Sequence, residues 1–135
     1  MTADLIAFLR ARLDEDEVVA LAASPGPWRP DEEGDEVVAV DGITVAEGFA
    51  LSGRQLRATV DHIARHDPAR TLAEVEAKRK AVHFYEQAVH SLGASAPGAP
   101  PHDLMTGAAN TARAILQALA TTYADHPDYR DAWRP

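Results

Sequence analysis

Ahead of Ser24 the apolar residues recur at helical spacing: Ile6, Leu9, Leu13 and Ala20, with Leu5 and Leu21 alongside, form one stripe. Thr2 stands where a cap belongs, and Asp4 lies near the positive end of the helix dipole. Asp14, Glu15, Asp16 and Glu17 cross the stripe. Four consecutive residues cover every side of a helix, so one carboxylate must fall beside the core, and Glu17, four after Leu13, is the expected one. Ser24-Pro25-Gly26-Pro27 ends the helix, and Trp28 is expected to plug a core edge with an acceptor for its indole N–H.

From Glu36 to Glu47 the period changes to two, with Asp41-Gly42 between two β-rich runs. Asp-Gly predicts a two-residue type I′ hairpin turn. Val40 would then face Ile43 and Val38 face Val45 on the buried side, leaving Val37, Ala39, Thr44 and Ala46 on the other. Pro30 to Glu36 reads as an acidic loop, and both ribbon edges as open to a further strand. Ser52 with Gln55 is a capping-box pattern, after which Leu56, Val60 and Ile63 mark a second helix ending near His66.

Proline disfavours helical backbone in the residue before it, while Asp-Pro suits a cap and first turn. A third helix therefore starts at Pro68, capped by Asp67, and runs to Gly93 with Leu72, Val75, Val82, Tyr85, Val89 and Leu92 on one face. Its pairs Glu74–Lys78 and Glu76–Lys80 contribute about 0.3 kcal/mol each. Residues 93–102 read as a flexible proline-rich linker. Asp103 caps a fourth helix that buries Met105, Ala108, Ala109, Ala112, Ile115, Leu116, Leu119 and Tyr123, and Pro127 ends it. Tyr129 and Trp133 should fold the tail back onto the body. The fold class is mainly α, or α+β by a strict count: a four-helix single domain over 1–135 with one β-hairpin inserted after the first helix.

Composition narrows the function. The 46% hydrophobic and 25% charged content is that of a globular domain. There are no cysteines, so disulfides, thiol catalysis and Cys-based zinc sites are excluded. Neither a secretory leader nor a spanning segment is evident, so the expected location is cytoplasmic. The net charge of -8 is uneven: residues 1–50 hold 12 acidic and 3 basic side chains, residues 51–92 hold 5 and 7. Such a surface repels phosphate backbones, which argues against nucleic acid; the acidity reads first as solubility, and otherwise as an acidic first third that faces the basic middle of the chain or mimics nucleic acid toward a basic partner.

Phosphate loops, dinucleotide glycine patterns, nucleophile elbows and HExxH are all missing. The ligand-like spacing is His62 with His66, which puts two imidazoles on one helix face. His126, after Asp125, and Glu17 or Asp14 on the first helix would have to complete a site for a divalent transition metal, whose open position would activate water for hydrolysis. Against it, Asp67 is employed as a cap, and a helix C-terminus favours protonated imidazole over metal. His83 and His90, with Glu86 between them, form a second candidate face. Trp28, Tyr129 and Trp133 fit core edges better than ligand platforms.

The segments HIARHDPARTLAEVEAKR and YADHPDYRDAWRP, with DLIAFLRARLDEDE and the GPW turn, resemble an uncharacterised family of small actinomycete and actinophage proteins, a domain of unknown function. The resemblance implies a bacterial or phage origin and brings no catalytic residue or cofactor with it. The favoured reading is a non-enzymatic protein-binding or regulatory module that takes a protein partner or self-associates, without nucleic acid, membrane or cofactor. The alternative is a metal-dependent hydrolase using His62, His66 and His126 with Glu17.

Overall fold

Four helices and a small sheet follow one another along the chain, as described for residues 2–135 by a computed structural model. Helix α1 spans Thr2–Ala22; strands β1, β2 and β3 span Arg29–Pro30, Glu36–Val38 and Thr44–Glu47. Helices α2, α3 and α4 span Gly53–Arg65, Pro68–Gly93 and Pro100–Ala120, and 3-10 turns follow at Thr121–Tyr123 and Asp131–Trp133. The protein is mainly α, as the periodicity predicts. The chain divides into two compact units: a terminal unit of residues 1–14 with 76–135, and a central unit of residues 15–75.

The terminal unit is built on the α1 stripe. Leu5, Ile6, Phe8 and Leu9 bury themselves with Val82 of α3, Leu116 and Ala120 of α4, and Trp133. The tail does fold back: the Trp133 ring sits 5.1 Å from that of Phe8 and edge-on to Tyr129 at 5.8 Å. Arg130 fastens it, with Nη1 donating to Asp4 at 2.9 Å and the guanidinium 5.3 Å over the Trp133 ring. Thr2 lies inside α1 and so is not its cap.

Several helix expectations need correction. The charge buried on α1 is Arg12, 8% exposed, while Glu17 is only half-buried; Leu21, one residue past the Leu13–Ala20 line, points outward. Helix α4 begins at Pro100, so the linker ends three residues early: Pro100 and Pro101 have the φ a first turn needs, and their missing N–H groups would be unpaired there anyway. Ala99 holds the cap position, and Asp103 acts on the dipole from the first turn. The buried side of α4 follows Ala109, Leu116 and Ala120, a line of spacing seven and four. Ile115, about 100° before Leu116 on the helix, is exposed, as is Ala108. On α3, Val89 is exposed, and Glu74 pairs with Arg70 at 2.9 Å. The Glu76–Lys80 pair is present at 3.9 Å.

The central unit holds an antiparallel sheet in the order β1-β2-β3. Strand β1 was unexpected, and it occupies one edge of the ribbon: Arg29 pairs with Val38 and Pro30 with Val37. Proline, lacking a donor, suits such an edge. Asp31 then turns the acidic loop back, its Oδ1 accepting from the backbone N–H of Gly34, Asp35 and Glu36 at 2.9, 3.1 and 3.2 Å.

On β2 the hairpin buries the opposite face from the one expected, while Val45 of β3 packs against the core as expected. Val37 and Ala39 are fully buried, whereas Val40 and Ile43 are exposed. The cause is the turn. The Ala39 N–H donates to the Ile43 carbonyl at 2.9 Å, so three residues, not two, form the loop. Gly42 alone carries positive φ, +85°, whereas a type I′ turn would require it of Asp41 too. One extra loop residue shifts the pairing by one, which moves side chains to the other face. A bulge between Val37 and Val38 accompanies the shift. Val37, Val60 and Ala64 form the core, with Trp28, Val45, Ala46, Leu56 and Ile63 packed around them. At Gly48 a Cβ would meet Val60 Cγ2 at 2.6 Å, so glycine lets the chain leave β3 close against α2.

The two units differ in charge. Residues 15–75 hold 13 acidic and 5 basic side chains, a net -8; residues 1–14 with 76–135 hold 8 of each. The central unit thus carries the whole net charge of the protein.

Candidate functional site

The corner between α2 and α3 is fixed by Asp67, a carboxylate only 7% exposed. Its Oδ1 accepts from the Arg70 N–H at 2.8 Å, the expected cap, and its Oδ2 accepts from the Trp28 N–H at 2.9 Å. One side chain thereby ties the GPW turn to the start of α3. The Trp28 indole N–H finds its acceptor in the Ser24 carbonyl at 2.8 Å. A Cβ on Gly26 would stand 2.8 Å from Asp67 Oδ2 and 2.9 Å from the Ala69 Cβ, so the turn has no room for a side chain there. The Gly26–Pro27 peptide is cis.

This turn, with α1 and α3, encloses a cleft of about 250 Å³. Asp16, Val19, Ala20 and Ala23 line it from α1, one face at spacing three and four. Trp28, His66, Pro68 and Thr71 complete the wall.

The candidate histidines fall in different units. His62 and His66 share a face of the central unit, with ring centroids 4.4 Å apart. His66 Nδ1 is 2.7 Å from the His62 carbonyl oxygen; since a carbonyl only accepts, Nδ1 carries the proton and Nε2 points away. His126 belongs to the terminal unit, where the Arg12 guanidinium lies against its ring and Phe8 packs edge-on at 5.7 Å. The Asp128 N–H reaches His126 Nδ1 at 3.1 Å. Glu17 is on α1 within the central unit. His83 and His90 line an open groove with Glu86, which is bound to Arg10 at 2.6 Å.

Among the described residues, the three carboxylates that come within 4.8 Å of one another are Asp31, Glu33 and Asp35. The Glu36 N–H, with those of Asp35 and Gly34, holds Asp31 below the usual carboxylate pKa. Burial, and then the charge of Asp31, pushes Asp35 above it.

Sequence reasoning missed two features. Arg12 flanks the α1 stripe, four residues after Phe8, and that spacing was the signal for its burial. Asp31 three residues before Gly34 is a turn signal for the loop that brings β1 against β2.

Eleven large apolar side chains are exposed among the described residues, and seven are in the smaller, central unit: Val18, Val19, Leu21, Val40, Ile43, Phe49 and Leu51. Phe49 is 84% exposed and Leu51 completely so, both on the short connection from β3 to α2. The terminal unit exposes a groove on α4 lined by Leu104, Gly107, Ala108 and Ile115. No helix among the described residues is long and apolar enough to cross a membrane.

Fold and surface together define a mainly helical protein with a small antiparallel sheet and an acidic, apolar-studded central unit. The chain belongs to a family of unknown function, DUF6221, whose model matches residues 2–135. No curated protein and no solved structure matches it.

Proposed function

We propose that the protein is a non-enzymatic protein-binding module whose contact surface lies on the central unit. The observation that carries this reading is the pair Phe49 and Leu51, bulky apolar side chains held in water on a five-residue connection. Single exposed apolar residues are ordinary, but two bulky ones two positions apart, in the unit with the smaller core and seven such side chains, are apolar surface for a partner to cover. The test compares wild type with the double variant Phe49→Ser, Leu51→Ser by sedimentation at high concentration and by co-purification from cells. The expected outcome is self-association or a stoichiometric partner in wild type, weakened in the variant. A monomer that retains no partner, or a complex indifferent to the double variant, overturns the assignment to this connection.

The alternative, a metal-dependent hydrolase, draws on the His62–His66 ring pair, in which the bond of His66 Nδ1 to the His62 carbonyl leaves Nε2 as the ligand atom. Two imidazoles supply two ligands, and His126 with Glu17 would have to add theirs. Metal analysis of tag-free protein and of His62→Ala tests it: a bound transition metal lost in the variant supports the hydrolase, and metal-free wild type with no melting shift in zinc removes it.

A further inference from the structure

A cleft of about 260 Å³ opens on the terminal unit between the first turn of α1, the second half of α4 and the returning tail, lined by Thr2, Leu5, Arg113, Gln117, Ala132 and Trp133. Two of its donors are unused. Arg113 is one of eight cationic side chains in this unit, and it alone has no partner among the described residues. Arg10, Arg79, Lys80, Arg130 and Arg134 are ion-paired, Lys78 lies over the Tyr123 ring, and the Arg12 guanidinium lies against His126. The Trp133 indole N–H likewise has no acceptor among the described residues, and it is not sealed from solvent. For a side chain only 5% exposed this is unusual, because a buried indole N–H ordinarily finds an acceptor, as that of Trp28 does in the Ser24 carbonyl.

Arg113 and Gln117 stand four apart on α4, so the guanidinium and the amide lie along one wall of the cleft. Leu5, Ala132 and the Trp133 ring supply the apolar remainder. The acidic neighbours, Asp4 and Asp131, are already neutralised by Arg130 at 2.9 Å and Arg134 at 3.2 Å. What the cleft lacks is one negative charge. A benzene ring is accommodated by roughly 150 Å³, and drug-sized ligands and cofactors occupy sites of roughly 300–1,000 Å³. The volume here, between the two, admits a single ring or short chain together with an acid group. One guanidinium among neutral donors matches a monoanion, whereas a phosphate dianion would lack a second cation. We infer that this cleft binds a small organic monocarboxylate, its carboxylate on Arg113 and the Trp133 N–H and its apolar body against Leu5 and Ala132. The site belongs to the terminal unit and does not depend on the protein-binding reading.

The probe is phenylacetate, titrated into the isotope-labelled full chain while the two indole N–H resonances are followed by NMR. The Trp133 resonance should shift saturably, and that of Trp28, held by the Ser24 carbonyl, should stay in place. No saturable shift at Trp133 up to about 10 mM overturns the inference. Phenylacetamide, with the same shape and no charge, should bind at least about tenfold more weakly, and so should phenylacetate to Arg113→Gln. Equal binding in either comparison overturns the carboxylate assignment. Arg113 is exposed and without a partner among the described residues, so the variant should fold, which unchanged circular dichroism verifies. Sulfate, an anion without an apolar body, should not displace phenylacetate at equal concentration. If it does, the cleft is a plain anion contact and the inference fails.

Discussion

The terminal unit is electrically balanced and closes its main core with eight residues from three helices and the tail, while the central unit closes its own with three and carries every unit of the net charge. Seven of the eleven exposed large apolar side chains belong to the central unit as well. Net charge destabilises a compact state through self-repulsion, and exposed apolar surface contributes nothing to folding. It is to this unit, which combines both features with a small core, that the proposed contact surface is assigned. The terminal unit, with the Trp133 and Phe8 rings packed against each other at a tilt in its core, is suited to stability.

Core truncation should divide the two most sharply. Trp133→Ala is expected to cost about 3–5 kcal/mol in a denaturant titration, and Val60→Ala about 2 kcal/mol. A loss below about 1 kcal/mol for Trp133→Ala would mean that the tail only lies on the terminal unit without closing it. Next comes the corner. Asp67→Ala should cost about 1–2 kcal/mol, since the Trp28 and Arg70 N–H groups both lose their acceptor. Amide exchange should accelerate at those two residues, and protection left intact at Trp28 would show that the turn does not depend on Asp67.

A smaller effect concerns the acidic loop. Asp31, with its pKa lowered, contributes stability that is complete above the ordinary carboxylate value and is lost as pH falls through the lower folded value. Asp35, with its pKa raised, opposes folding when ionised, and acidification through its raised value relieves this. Asp35→Asn should therefore raise the melting temperature at neutral pH, with the gain disappearing in acid; a gain that persists in acid would place its origin elsewhere. The smallest effect is expected at Leu51. Leu51→Ser should change stability by no more than about 0.5 kcal/mol, and a larger loss would mean that Leu51 packs against the unit rather than awaiting a partner.

Much of this was legible along the chain. The α1 stripe, the Asp67 and Ser52 caps and the return of Trp133 follow from spacing and from local chemistry. The hairpin face was not legible, because Asp41-Gly42 is compatible with both a two-residue and a three-residue loop, and only the longer one places Gly42 in the left-handed position with Asp41 outside it. Strand β1 escaped for a related reason: two residues, one of them proline, have no strand signature until Asp31 turns the chain back beside β2. The candidate site divided in the same way. The spacing of His62 and His66 correctly put them side by side, but the cleft beside His66 joins residues as distant as Asp16, Trp28 and Thr71.

By itself the sequence determined the presence of the four helices, the Ser52 and Asp67 caps, the absence of cysteine chemistry and the total charge, because these depend on residues a few positions apart or on composition alone. Tertiary structure decided which hairpin face is buried, that Arg12 rather than Glu17 is the buried charge of α1, and that all the net charge gathers in one unit. Those outcomes depend on pairing register and on which distant segments pack together, and neither is encoded in local periodicity.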